Sequence, residues 1–222
     1  MARPKTVALD MIGTTFSLDR LGRELAERGA SAEALPLLFA QTLRDYFASS
    51  YAGSYVPLRD ALGSSLHRLF ASRDLPIGDD EADAVLAALT ELDPTPGAAE
   101  ALRLLDEAGV KVIALTNGGT SLMEALLGRA GLTDLVERIV SCDDLGISKP
   151  HPAVYEAARE VSDGELWMVA SHAWDIMGAA HAGLRTAWIS AFETEYPSIF
   201  RAPDVVAPDL ETAARAIIDH PD

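Results

Sequence analysis

The feature that most constrains this chain is a change of rhythm at Gly97. Beyond it, helical and strand-like patterns alternate. Apolar runs at 111–116, 138–141, 166–170, 186–189 and 204–207 read as buried strands. Amphipathic stretches at 98–108, 121–130, 153–161, 175–182 and 210–218 read as helices. Repeated strand–helix units predict a parallel sheet with helices on both faces. Before Gly97 there is one strand, at 6–10, and a Gly13-Thr14-Thr15 loop. Helical periodicity follows at 35–49, 58–71 and 79–92, with no convincing strand between 15 and 93. Asp93-Pro94-Thr95-Pro96-Gly97 then breaks the helix. That stretch is too long for a crossover loop. The expectation is an α/β chain with a core at 1–15 and 93–222 and an all-helical cap at 16–92.

Composition removes several partners. Hydrophobic residues make up 49% and charged residues 23% of the 222, a globular balance. Asp plus Glu is 34 against 18 for Lys plus Arg, a net charge of −16. So acidic a surface repels phosphate backbones, which argues against a nucleic-acid partner. No apolar run approaches the roughly 20 residues of a membrane helix. Residues 1–10 lack the apolar core and cleavage site of a signal peptide, so a cytoplasmic location is expected. The single cysteine, Cys142, excludes a disulfide framework and a multi-cysteine metal site.

Ligands of open parallel sheets bind at the carboxyl ends of the strands. Four polar groups stand at such ends: Asp10 with Thr14, Thr116 with Asn117, Lys149, and Ser171 to Asp175. A Thr-Asn pair alone is usually a turn, and a Lys-Pro alone a loop. Their joint occurrence, each after a strand, points to one convergent site. Burial would raise the pKa of Asp10, and Lys149, one of three lysines, would oppose that. An ionised, positioned, dry carboxylate is a competent nucleophile. Backbone amides of the Gly13-Thr14-Thr15 turn are expected to hold an anion. Asp175 either positions a water or caps the following helix.

The order of these segments resembles the haloacid dehalogenase superfamily. Asp10-Met11-Ile12-Gly13-Thr14-Thr15, Thr116-Asn117-Gly118, Lys149-Pro150-His151-Pro152 and Ser171-His172-Ala173-Trp174-Asp175 look like its four motifs. The likeness spans the chain and includes the helical insertion after the first motif. It implies a Rossmann-like core, a nucleophilic Asp10 and catalytic roles for Thr14, Lys149 and Asp175. Within the superfamily, 143–150 and 173–179 look most like the L-2-haloacid dehalogenases. That implies substrate contacts from Met11, Ile12, Thr116, Asn117, Tyr155 and His172, a small anionic organic substrate, and a homodimer. It implies no cofactor and no metal.

The superfamily's phosphatases carry a second Asp two residues after the nucleophile, which protonates the leaving alkoxide. Here that position is Ile12. Their magnesium needs several hard oxygens, and the first acid of the fourth motif is here Ser171. A halide leaves without a proton, so both losses fit dehalogenation. Phosphonate-cleaving members use a cap lysine, and 16–92 contains none. The resembled dehalogenases have Tyr in place of Ile12 and a carboxylate-gripping Arg where Ala40 aligns; Arg44, one turn on, is either its substitute or a solvated helix residue. Ala170 and His172 stand where they have Ser and Asn. A phosphatase acting on a small metabolite, and a non-catalytic binding homologue, stay open as alternatives.

Overall fold

A computed structural model describes residues 5–75 and 77–221. Residues 1–4 and 222 of the expected core, and 76 of the expected cap, lie outside the described residues. Strand β1 (Lys5–Asp10) runs through the centre of a six-stranded parallel sheet. Its order is β3 (Arg138–Ser141), β2 (Lys111–Thr116), β1, β4 (Glu165–Ala170), β5 (Arg185–Ile189) and β6 (Val205–Ala207). The chain builds outward from β1 on one side and then, from β4, on the other. The topological switch therefore lies between β1 and β4, where a ligand crevice opens. Register fixes the rest: Asp10 pairs with Leu115, and Leu9 with Val169.

Strand alternation sorts side chains between two cores. Val7, Leu9, Val112, Ala114, Trp167 and Val169 point to one face, Ala8, Ile113, Leu115, Met168 and Ala170 to the other. The first face is covered by α5 (Ala98–Glu107), α6 (Thr120–Ala130) and α10 (Leu210–Ile218). The second is covered by α8 (Pro152–Glu160) and α9 (Ala173–His181). These two helices approach closely at Gly178, where a Cβ would stand 2.5 Å from the Tyr155 hydroxyl and 2.6 Å from Pro150 Cβ. A short α7 (Cys142–Leu145) follows β3.

Between β1 and α5 lie α1 (Asp19–Glu27), α2 (Ala34–Tyr51), α3 (Leu58–Ala71) and α4 (Asp79–Ala87). Four further residues, Ala88–Glu91, form a 3-10 turn. Leu38, Thr42, Leu43 and Tyr46 make one stripe of α2, which packs against Leu62, Leu66 and Leu69 of α3 in a continuous apolar cluster. This is the helical cap. Among the described residues from 16 to 94, the only β pairings are two isolated bridges at Phe16, one to Ile12 and one to Pro94, where the chain leaves and re-enters the core. No helix among the described residues is long and apolar enough to cross a membrane.

Candidate active site

Asp10 is the last residue of β1, where the buried strand ends and its carboxylate emerges at the switch point. Its Oδ1 accepts from Lys149 Nζ at 2.7 Å. Its Oδ2 accepts from the Thr14 hydroxyl at 2.6 Å and lies 3.1 Å from His172 Nδ1. The Thr15 hydroxyl donates to the Asp10 carbonyl at 2.7 Å. The left-handed φ of +86° at Gly13 lets the chain reverse, and a Cβ there would meet His172 Cε1 at 2.8 Å. Thr14 ties the loops together, because its Oγ1 also accepts from the Ser171 amide at 2.9 Å.

Lys149 is fully buried and bridges two carboxylates, donating also to Asp175 Oδ2 at 2.7 Å and to the Leu115 carbonyl at 3.1 Å. The Tyr155 hydroxyl completes Asp175, donating to Oδ1 at 2.7 Å. Burial alone would raise the Asp10 carboxyl, but Lys149, and after it His172, hold it well below the usual carboxylate range. Burial would likewise favour a neutral Lys149; Asp10 and Asp175 reverse that and raise it, so it stays an ammonium. Burial, together with the negative charge of Asp10, pushes the Asp175 carboxyl up despite Lys149.

A small pocket of about 10 Å³, room for roughly one water, opens on Asp10. The core lines it with Ile12, Asn117, His172 and Trp174, the cap with Phe39, Leu43 and Leu58. It adjoins a mainly apolar cavity of about 260 Å³, which shares Ile12, Phe39 and Leu58 and runs between the cap leucines and Gly118 to Leu122. Cap and core are also tied by Tyr46, whose hydroxyl donates to the Asn117 carbonyl at 3.1 Å, and by Tyr55, which donates to Asp143 Oδ1 at 2.5 Å.

The structure brings Asp10, Thr14, Lys149 and Asp175 into one buried network and sets Ile12, Asn117 and His172 on the pocket wall. The other expected substrate contacts lie elsewhere. Met11 is fully buried in the apolar core. The Thr116 hydroxyl accepts from the Gly118 amide at 2.9 Å and shapes the turn. Tyr155 holds Asp175 instead of reaching the pocket. Arg44 sits two residues from both Thr42 and Tyr46, about 200° around α2 from each. It is therefore exposed and pairs with Asp45 at 2.7 Å. The expected anion cradle at 13–15 is also changed: the Gly13 and Thr15 amides donate to the Phe16 and Met11 carbonyls and close the turn. Asp175 does not cap α9, which starts at Ala173; its side chain turns into the site, with both oxygens taken by Lys149 and Tyr155.

Sequence reasoning assigned no site role to Trp174, Phe39, Leu43 or Leu58. Trp174 carried a signal, since it lies inside the fourth motif. The cap residues carried none beyond helical period. Among the described residues no three His, Cys, Asp or Glu side chains converge as a metal site.

Comparison with known proteins finds haloacid dehalogenases and also, 31% identical over 52% of this chain, the pyrimidine 5'-nucleotidase YjjG of Escherichia coli strain K12. The sequence model of the haloacid dehalogenase-like hydrolases matches residues 4–183. The (S)-2-haloacid dehalogenase 4A of Burkholderia cepacia is 32% identical over 193 residues, 84% of this chain and 83% of that one. The (S)-2-haloacid dehalogenase 2 of Pseudomonas sp. strain CBS-3 is 26% identical over 95% of this chain and 94% of its own. The L-2-haloacid dehalogenase of Xanthobacter autotrophicus superposes with a TM-score of 0.88 at 23% identity, covering 98% of this chain and all (100%) of that one.

Proposed function

Because this chain belongs to the haloacid dehalogenase-like hydrolases, we propose that it hydrolyses the carbon–halogen bond of a small 2-halo carboxylic acid through an ester on Asp10. One observation carries the proposal: among the described residues Asp10 is the only acid lining its pocket, and Lys149 keeps it ionised. The carboxylate attacks the halogen-bearing carbon from behind, an aspartyl ester forms and halide leaves. Water then attacks the aspartyl carbonyl, the ester C–O bond breaks, and the 2-hydroxy acid and carboxylate are released. Ile12 and Trp174 keep the first step dry, which strengthens the nucleophile. Thr14 and Lys149 hold the two carboxylate oxygens in place.

The names of the relatives support this substrate class, since the 32% identical Burkholderia enzyme is a (S)-2-haloacid dehalogenase. The phosphatase alternative needs a second acid beside the nucleophile, and apolar Ile12 stands at that position on the pocket wall. Core residues 1–15 and 93–222, cap residues 16–92, a cytoplasmic location and a homodimer complete the proposal; light scattering tests the last. The function is tested by halide and phosphate release over a panel of 2-halo acids and phosphate esters, with EDTA or magnesium. Halide release unaffected by EDTA is expected. Phosphate release that EDTA abolishes and magnesium restores would replace the dehalogenase with a phosphatase.

A further inference from the structure

The pocket on Asp10 takes about 10 Å³, room for roughly one water. A 2-halo acid with its reacting carbon at Asp10 must therefore extend past that pocket. Ile12, Phe39 and Leu58 wall the pocket and also the cavity of about 260 Å³ beside it. Packed interiors hold few voids larger than a water. This one stands next to a reactive carboxylate and approaches the size of a ligand site, roughly 300 Å³ and above. Its size calls for an occupant.

The walls select that occupant. Beyond the three shared residues, Leu18, Leu21, Leu62, Leu86, Leu89 and Leu122 line the cavity. Polar groups in the wall spend their hydrogen bonds on the protein. The Thr42 hydroxyl donates to the Leu38 carbonyl at 2.8 Å, and the Thr90 hydroxyl to the Ala87 carbonyl at 2.9 Å. Asp143 Oδ1 accepts from Tyr55. Arg59, the one cation in the wall among the described residues, lies 3.5 Å from Asp83. Arg59, Thr90 and Ser121 are exposed, so the cavity opens to solvent on their side. Gly118 stands at the junction with the Asp10 pocket. A Cβ there would meet Ile12 Cδ1 at 3.1 Å and Leu122 Cδ2 at 3.3 Å, so a residue without a side chain keeps that passage at its width.

Resting on the aspartyl-ester reading above, we infer that the substrate is a 2-halo acid with an apolar chain of several carbons extending from C2, and that the leucine cavity binds this chain. C2 stands at Asp10, and the chain passes Ile12 and Gly118 toward the open end at Arg59, Thr90 and Ser121. Bond making and breaking stay at Asp10 as described. Each methylene moved from water onto such a wall strengthens binding about fourfold. A chain held equally in the ground and transition states lowers KM and leaves the chemical step alone.

The test is halide release from 2-chloropropionate, 2-chlorobutanoate, 2-chlorohexanoate and 2-chlorooctanoate by the wild type and by Leu122→Trp and Leu89→Phe, which fill the cavity from the core and from the cap. In the wild type kcat/KM should climb about fourfold per added methylene until the cavity is full. The gain should lie in KM, with the single-turnover rate changed less than about twofold. Both variants should flatten the climb and keep 2-chloropropionate turnover, which reports a folded site. A flat or falling wild-type series, with 2-chloropropionate turned over, overturns the chain assignment and leaves the dehalogenase standing. A climb that persists unchanged in a variant active on 2-chloropropionate also overturns it, because the chain then lies elsewhere. Where a variant loses 2-chloropropionate turnover too, the wild-type series alone decides. No halide from the wild type with any member overturns the dehalogenase reading, and this inference with it.

Discussion

The core contributes Asp10, Asn117, His172 and Trp174 to the pocket, whereas the cap contributes Phe39, Leu43 and Leu58. On the core side every carboxylate oxygen of Asp10 and Asp175 is held by a named donor, and the chain segments that supply them follow strands β1, β3 and β4. On the cap side the pocket wall is aliphatic and aromatic, and the nearest expected cation, Arg44, faces solvent. The sheet fixes the register of the strands that end beside these groups. A helical insertion tied to the core through Tyr46, Tyr55 and Ser50, among others, shapes what fits above them. Chemistry should therefore respond to core substitutions, and substrate affinity to cap substitutions.

The sharpest break of that contrast is on the core side. Lys149→Met leaves two buried carboxylates without their shared ammonium. An unpaired buried charge costs about 3–5 kcal/mol, which a urea titration should register, and turnover should fall to background. Asp10→Asn keeps the shape and removes the nucleophile, so halide release should drop about a thousandfold or more, ~4 kcal/mol in barrier. The sign of the Asp10 shift adds a pH expectation. A depressed carboxyl stabilises the fold above the unfolded value of about 3.9, and that share is lost as pH falls through the lower folded value. Ester formation should therefore persist at pH 4–5 (about the range where a free carboxylate starts to protonate).

Cap substitutions should act smaller and differently. Phe39→Ala removes an aromatic wall shared by the pocket and the apolar cavity beside it. KM should rise about tenfold, as lost apolar contact predicts, while the single-turnover rate changes little. A large fall in that rate with KM unchanged would erase the division of labour. Arg44→Ala should do least: KM within about twofold and no shift in a urea titration, because its one partner is Asp45 at the surface. A large rise in KM would return substrate recognition to α2.

How far the sequence carried differs between the two halves for the same reason. Strands β2 and β3 and helices α3 and α10 were legible residue for residue, since a buried parallel strand is a continuous apolar run and a half-buried helix a clear stripe. Helix α1 was not delimited, because Leu21 and Leu25 are its only buried apolar residues among charged ones. Helix α7 is a single turn, too short to show a period. The α4 pattern ran on to Leu92 because a 3-10 turn continues the same burial at Ala88 and Leu89. At the site, topology alone gathers the residues that follow strand ends into one network. Met11, Thr116, Tyr155 and Arg44 were misplaced because the direction of one side chain depends on local turns and helix phase. The Tyr46–Asn117 and Tyr55–Asp143 contacts join distant segments, and nothing local marks them.

Covalent attack by Asp10 is the claim on which the rest depends, and oxygen labelling tests it directly. With enzyme in excess in ¹⁸O water, the hydroxyl of the first product should carry unlabelled oxygen taken from the carboxylate. After several turnovers, the peptide containing Asp10 should carry ¹⁸O. Label in the first-turnover product, with Asp10 unlabelled, would show that water attacks the substrate directly and would reduce Asp10 to a general base.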